Sequence, residues 1–143
     1  MGIMKWDPLK DLFYMEKHID KLIAIYFKEQ STNWSPVVDI IENDNIIILA
    51  AELAGVNEND MEVSISDGIL SISGIKKSLE EEYFSDDYFY KIESVSGKFC
   101  RSFAIPANID TSAVKASLKD GVLKIVLCKT NKQNSKNIKI KSE

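Results

Sequence analysis

Two copies of one short pattern constrain this chain more than any other feature in it. Met61-Glu62-Val63-Ser64-Ile65-Ser66-Asp67-Gly68-Ile69-Leu70-Ser71-Ile72 is echoed, at a constant offset of 53 residues, by Val114-Lys115-Ala116-Ser117-Leu118-Lys119-Asp120-Gly121-Val122-Leu123-Lys124-Ile125. In each copy Asp-Gly joins two runs of alternating apolar and polar residues. Asp-Gly favours a two-residue type I′ turn because both central positions need positive φ. With the turns so centred, Ile65 falls opposite Leu70 and Val63 opposite Ile72. The second copy sets Leu118 opposite Leu123, Ala116 opposite Ile125 and Val114 opposite Leu127. Apolar residues of both strands then share one face of each hairpin, and a slip of one residue would turn them all to solvent. Two one-sided hairpins make the core of a β-sandwich.

The surrounding sequence agrees. Short β-branched runs bounded by Gly, Asn, Asp and Pro predict seven or eight strands, at 37–41, 46–53, 61–66, 69–75, 88–92, 98–105, 114–118 and 122–127. The stretch 76–87, with Glu80-Glu81-Glu82-Tyr83-Phe84, reads as a loop long enough to carry function. Before the sandwich the period changes. Asp7 can cap a helix, Pro8 suits its first turn, and Leu9, Leu12, Phe13, Ile19, Leu22, Ile23, Tyr26 and Phe27 recur at helical spacing, so 7–28 is predicted helical with an apolar stripe that needs a partner. Polar Gln30-Ser31-Thr32-Asn33 then reads as a linker. After Lys129 a polar, basic stretch, 130–137, has no means of burying itself and is expected to be flexible, but Ile138-Lys139-Ile140 restores a strand-like apolar pair. Three regions follow: 1–33 a largely helical N-terminal arm, 34–129 the sandwich domain, and 130–143 a C-terminal extension. The expected fold class is all-β, an immunoglobulin-like antiparallel β-sandwich with an N-terminal helical arm and a flexible C-terminal tail.

Composition removes several function classes. A net charge of -4 argues against nucleic acid or an anionic membrane surface as main partner, since both call for a basic face. The N-terminus lacks a basic start, apolar stretch and cleavage site, so export is not expected. The apolar run 22–27, between Lys21 and Lys28, is far too short to span a bilayer. Cys100 and Cys128 are too few for a disulfide scaffold and fit a reducing cytoplasm. His18 is the only histidine, the cysteines lack metal-ligand spacing, and no Gly-rich phosphate loop is present, which leaves no support for a metal, a nucleotide or another cofactor. Glu80-Glu81-Glu82 and Asp86-Asp87 read as a solvated charge run rather than paired catalytic acids. The expectation is a binding protein and not an enzyme.

Several stretches in order carry a family resemblance. They are Trp34-Ser35-Pro36-Val37-Val38-Asp39-Ile40, Ala51-Glu52-Leu53-Ala54-Gly55-Val56, Asp67-Gly68-Ile69-Leu70-Ser71-Ile72-Ser73-Gly74, Gly97-Lys98-Phe99-Cys100-Arg101-Ser102-Phe103-Ala104-Ile105-Pro106, and Ala116-Ser117-Leu118-Lys119-Asp120-Gly121-Val122-Leu123. From Trp34 to the end, the chain resembles the small heat-shock proteins with an α-crystallin-type domain, of the bacterial and plant kind. It departs from them at Ala54 and Cys128, where the family usually has Pro, and at Ser94, where it usually has Arg. These departures bear on assembly more than on fold.

The resemblance implies an ATP-independent holdase chaperone that forms dimers, assembles them into a larger homo-oligomer, and binds partly unfolded client proteins. In the family an isoleucine pair like Ile138 and Ile140 docks in a groove of another subunit, which here would be lined by Val63, Ile65, Ala116 and Leu118. Residues i and i+2 of an extended segment point the same way, which suits two knobs on one face. The resemblance further implies dimerisation by strand exchange, in which the aromatic segment Tyr88, Phe89 and Tyr90 of one subunit pairs with the strand holding Val37, Val38 and Ile40 of the other. Packing of Tyr88 and Tyr90 on their own sandwich is the alternative. Trp6, Leu9, Leu12, Phe13, Leu22, Ile25, Tyr26 and Phe27 are the expected client-binding residues, because a promiscuous holder needs adaptable apolar surface. Arg101 shares strand parity with Phe99 and Phe103 and needs an ion-pair partner, with Glu52 or Glu93 expected. The rival reading is a monomeric or dimeric sandwich that serves one specific partner as co-chaperone or scaffold.

Overall fold

The structure, a computed structural model, describes residues 8–30, 32–79, 91–130 and 138–142, with helix side chains from residue 19 onward. Both echoed motifs form the expected turns. Asp67 and Gly68 have φ of 52° and 72°, and Asp120 and Gly121 have 53° and 77°. The registers follow: Ile65 pairs with Leu70 and Val63 with Ile72 between β3 (Met61–Ser66) and β4 (Ile69–Lys76). Leu118 pairs with Leu123 and Ala116 with Ile125 between β6 (Lys115–Lys119) and β7 (Val122–Cys128).

The remaining strands complete two antiparallel sheets. One has the order β1-β2-β7-β6, with β1 at Val38–Glu42 and β2 at Ile46–Glu52; the other is β3-β4-β5, with β5 at Gly97–Ala104. Leu49, Ala51, Ile125 and Leu127 on the first sheet bury against Leu70, Ile72 and Phe99 on the second, and Leu53 closes one end. Burial alternates iBiBiB along β2, as period-two residues on a one-sided strand require. Of the expected strand at 88–92, residues 88–90 lie outside the described residues, and Lys91 and Ile92 belong to no strand.

Two contacts orient the sheets. Arg101 on β5 donates to the Pro36 carbonyl at 2.7 Å, and Trp34 stacks at a tilt on Phe99 with ring centroids 5.2 Å apart. β5 therefore lies over the β1 side of the sandwich, which leaves β3 and β6 as neighbouring edges on the other.

Helix α1 (Pro8–Glu29) packs along β5 with a mixed side on which Lys21, Ala24, Ile25 and Glu29 are half-buried. The outer face of the β3-β4-β5 sheet offers small hydroxyl residues beside Ile69: Ser71 and Ser102 are buried and share a hydrogen bond of 2.9 Å. A helix that docks there must bring polar partners, because buried hydroxyls and amides need them. Lys28 Nζ donates to Ser71 Oγ at 3.3 Å, and Glu29 Oε1 accepts from the Ser102 amide at 2.7 Å. The apolar stripe thus faces away from the sandwich.

Arg101 corrects one expectation. Its partner is Glu29, 3.7 Å from Nε, and neither Glu52 nor Glu93. β5 is an edge strand, so an inward-parity side chain there can turn past the edge to the arm. Glu93 instead pairs with Lys91 at 3.2 Å.

Candidate functional site

Nothing among the described residues gathers three or more potential metal-ligating side chains. What the fold does place on the surface is a set of strand edges and apolar segments, and these are the candidate site.

The first is the pair of edges formed by β3 and β6. Val63 and Ile65 point from β3 toward the core and Leu118 does so from β6; all three are half-buried, with Met61 and Val114 beside them. Ala116 is exposed, and its small side chain leaves room over the β6 backbone. Both strands end their sheets, so the side of the sandwich here is a lengthwise strip of incompletely buried apolar side chains between two edges.

Ile138 and Ile140 are the second feature. They are 82% and 96% exposed, so in the isolated chain neither is seated in that strip or anywhere else. The root from which the tail leaves is firmly held. Lys129 N donates to Asn45 O at 2.8 Å, Lys129 Nζ reaches Asn43 O at 2.8 Å and Glu42 Oε1 at 2.5 Å, and Thr130 N donates to Asn108 O at 2.6 Å.

β1 is the third. It ends the first sheet and exposes Val37, Ile40 and Ile41, while Val38 packs on the core. An exposed apolar edge strand is a template for pairing with another chain. The segment expected to pair with it, Tyr88, Phe89 and Tyr90, lies outside the described residues.

The fourth is the stripe on α1. Ile19, Leu22, Ile23, Tyr26 and Phe27 are each about half exposed or more, and together they line one apolar depression. Ile25 differs: it is half-buried on the side that meets β5, together with Lys21 and Ala24. Trp6 lies outside the described residues, and Leu9, Leu12 and Phe13 lie on the part of the helix whose side chains are not described.

One arrangement had no clear sequence signal. Asn33 and Trp34 both donate backbone N–H to the Lys98 carbonyl, at 2.8 and 3.4 Å, and Asn33 Oδ1 accepts from the Lys98 amide at 2.9 Å. Trp34 Nε1 donates to the Gly97 carbonyl at 2.9 Å. With Glu29 on the Ser102 amide, the arm closes the free edge of β5. Only the polar linker composition of 30–33 hinted at turn chemistry, and nothing local named β5 as its target.

Comparison with known proteins identifies the family. A profile of the Hsp20/alpha crystallin family matches residues 39–141. The chain is 32% identical over 133 residues to a small heat shock protein of Rickettsia felis, covering 87% of this chain and 85% of that one. It is 33% identical over 138 residues to an 18.1 kDa class I heat shock protein of Pisum sativum, covering 96% and 82%. Among solved structures, a small heat-shock protein from Xylella fastidiosa, described as having a distinct high order structure, superposes with a TM-score of 0.64 at 35% identity, over 77% of this chain and 99% of that one.

Proposed function

The chain belongs to the Hsp20/alpha crystallin family, whose members are chaperones, and from that premise we propose that it is an ATP-independent holdase that self-assembles and binds unfolding proteins. The observation that carries the reading is the unpaired combination of Ile138 and Ile140, almost wholly exposed, with a half-buried apolar strip at Val63, Ile65 and Leu118 beside Ala116. Each isoleucine contributes about 1.5–3 kcal/mol when buried, offset by the entropy of ordering the tether. A single latch is therefore weak and reversible, and several in a closed assembly hold through effective concentration.

In this reading residues 1–33 form the arm, 34–129 the domain and 130–143 the latch. β1, through Val37, Val38 and Ile40, takes the Tyr88–Phe89–Tyr90 segment of a second copy and so forms the dimer. The stripe on α1 holds clients: Leu22, Tyr26 and Phe27 present an adaptable apolar surface without a shaped pocket. Catalysis has no part in it. Cys100 and Cys128 as free thiols support a reducing cytoplasm. No described helix is long and apolar enough to cross a membrane.

The test is aggregation of a heat-labile enzyme followed by light scattering, without ATP. The expected outcome is scattering suppressed in proportion to added protein. A scattering curve unaltered at stoichiometric excess sinks the holdase reading and leaves the single-partner scaffold.

A further inference from the structure

We propose that Glu29, Asn33 and Trp34 form a clamp on the free edge of β5, and that lifting it exposes the Lys98–Ser102 edge as a pairing site for an extended client segment. The proposal rests on the holding function above and adds a site to it.

The even-numbered residues of β5 direct their backbone groups away from β4. The Lys98 amide goes to Asn33 Oδ1, the Lys98 carbonyl to the amides of Asn33 and Trp34, and the Ser102 amide to Glu29 Oε1. Cys100 holds the position between them. Side-chain oxygens of the arm thus stand where a neighbouring strand would place its carbonyls. An edge strand so capped is protected from pairing, and it becomes a template once the caps leave.

The clamp is built to open. Glu29 and Arg101 are 32% and 26% exposed at their 3.7 Å contact, so water competes for both. The helix meets the sheet through Lys28, Glu29 and the paired serines with Ile25 half-buried beside them, while Ile19, Leu22, Ile23, Tyr26 and Phe27 lie on its other side. The seat is thus held largely by polar contacts, which water or another chain's backbone can replace. Trp34 supplies the fixed end: it is wedged on Phe99 and lies under Lys76, whose ammonium is 5.6 Å from the ring centroid. Opening of the β5 edge adds a backbone pairing site beside the exposed stripe. The occupant that fits is an extended segment of an unfolding protein, since the edge is read through backbone groups and asks no particular side chain of its partner.

Residue-resolved hydrogen exchange on the full chain tests this. Glu29→Ala should speed exchange at the Ser102 amide by about tenfold, and Asn33→Ala should do the same at Lys98, each leaving the other's amide slow. Leu49 and Ile125 report the central β2-β7 pairing and should stay unchanged, which separates clamp opening from unfolding. Adding the reduced B chain of insulin as the client probe to the double variant should slow both edge amides again. Unaltered exchange at Lys98 and Ser102 in the variants overturns the clamp. Suppression of B-chain aggregation with both edge amides still fast overturns the pairing site while leaving holding intact. Failure to hold the B chain at all removes the holding function and the pairing site together, and the variant comparison still judges the clamp.

Discussion

Gly74 shows how closely single positions are determined. A Cβ there would sit 2.3 Å from the Asp60 carbonyl oxygen and 2.8 Å from the Phe99 ring, in the middle of β4 where neither backbone nor buried aromatic can yield cheaply. Gly74→Ala is expected to destabilise by about 1–3 kcal/mol, as overpacking does, and thermal unfolding followed by circular dichroism should show a clearly lower midpoint. An unchanged midpoint would mean that the β3-β4 approach is looser than this geometry. Lys129 is the other residue whose role comes from its neighbours. Its side chain is 15% exposed, and its ammonium ties Glu42 and Asn43 at the β1-β2 turn to the root of the tail. Lys129→Met should cost about 1 kcal/mol in the same assay, because Glu42 is half exposed and regains water. Turn residues such as Asp67 and Gly68 were legible in the sequence because their conformation is decided by two adjacent positions. Arg101 was not: its partner Glu29 lies on a separate helix, and only the tertiary fold brings the two together.

At the level of elements, the two hairpins and the alternation of β2 were legible for the same local reason. The direction of α1 was not. A stripe of apolar residues says that a helix has an apolar side, and leaves open whether its own domain or another molecule covers it. Here the deciding fact lies on the sheet, where Ser71 and Ser102 present a hydroxyl surface that favours the side of the helix carrying Lys28 and Glu29. The consequence is a separation of stability from capture. Leu22→Ser with Phe27→Ser should change the unfolding free energy of the sandwich by no more than about 0.5 kcal/mol, since both side chains are more than half exposed. The same variant should need severalfold more protein to suppress client aggregation in the scattering assay. A large loss of sandwich stability with capture intact would place the stripe inside the fold and refute its role as the holding surface.

For the molecule as a whole, the four strand edges among the described residues are treated in different ways. The arm caps β5, β1 lies open with Val37, Ile40 and Ile41 exposed, and β3 and β6 flank a half-buried strip at Val63, Ile65 and Leu118. Three uncapped edges among the described residues and an exposed isoleucine pair support the proposed association of the chain with copies of itself. The sequence signalled an apolar pair through the i, i+2 spacing of Ile138 and Ile140, yet it could not show that the pair stays exposed in the single chain. In the proposed assembly each isoleucine latch is weak on its own, so the assembly should hold at rest and loosen on warming. Sedimentation velocity of the full chain beside the Ile138→Gly, Ile140→Gly double variant tests the central claim most directly. The expected result is a wild-type species well above dimer size and a variant that falls to dimers while its circular dichroism spectrum is kept; equal sedimentation coefficients for the two proteins would contradict the account.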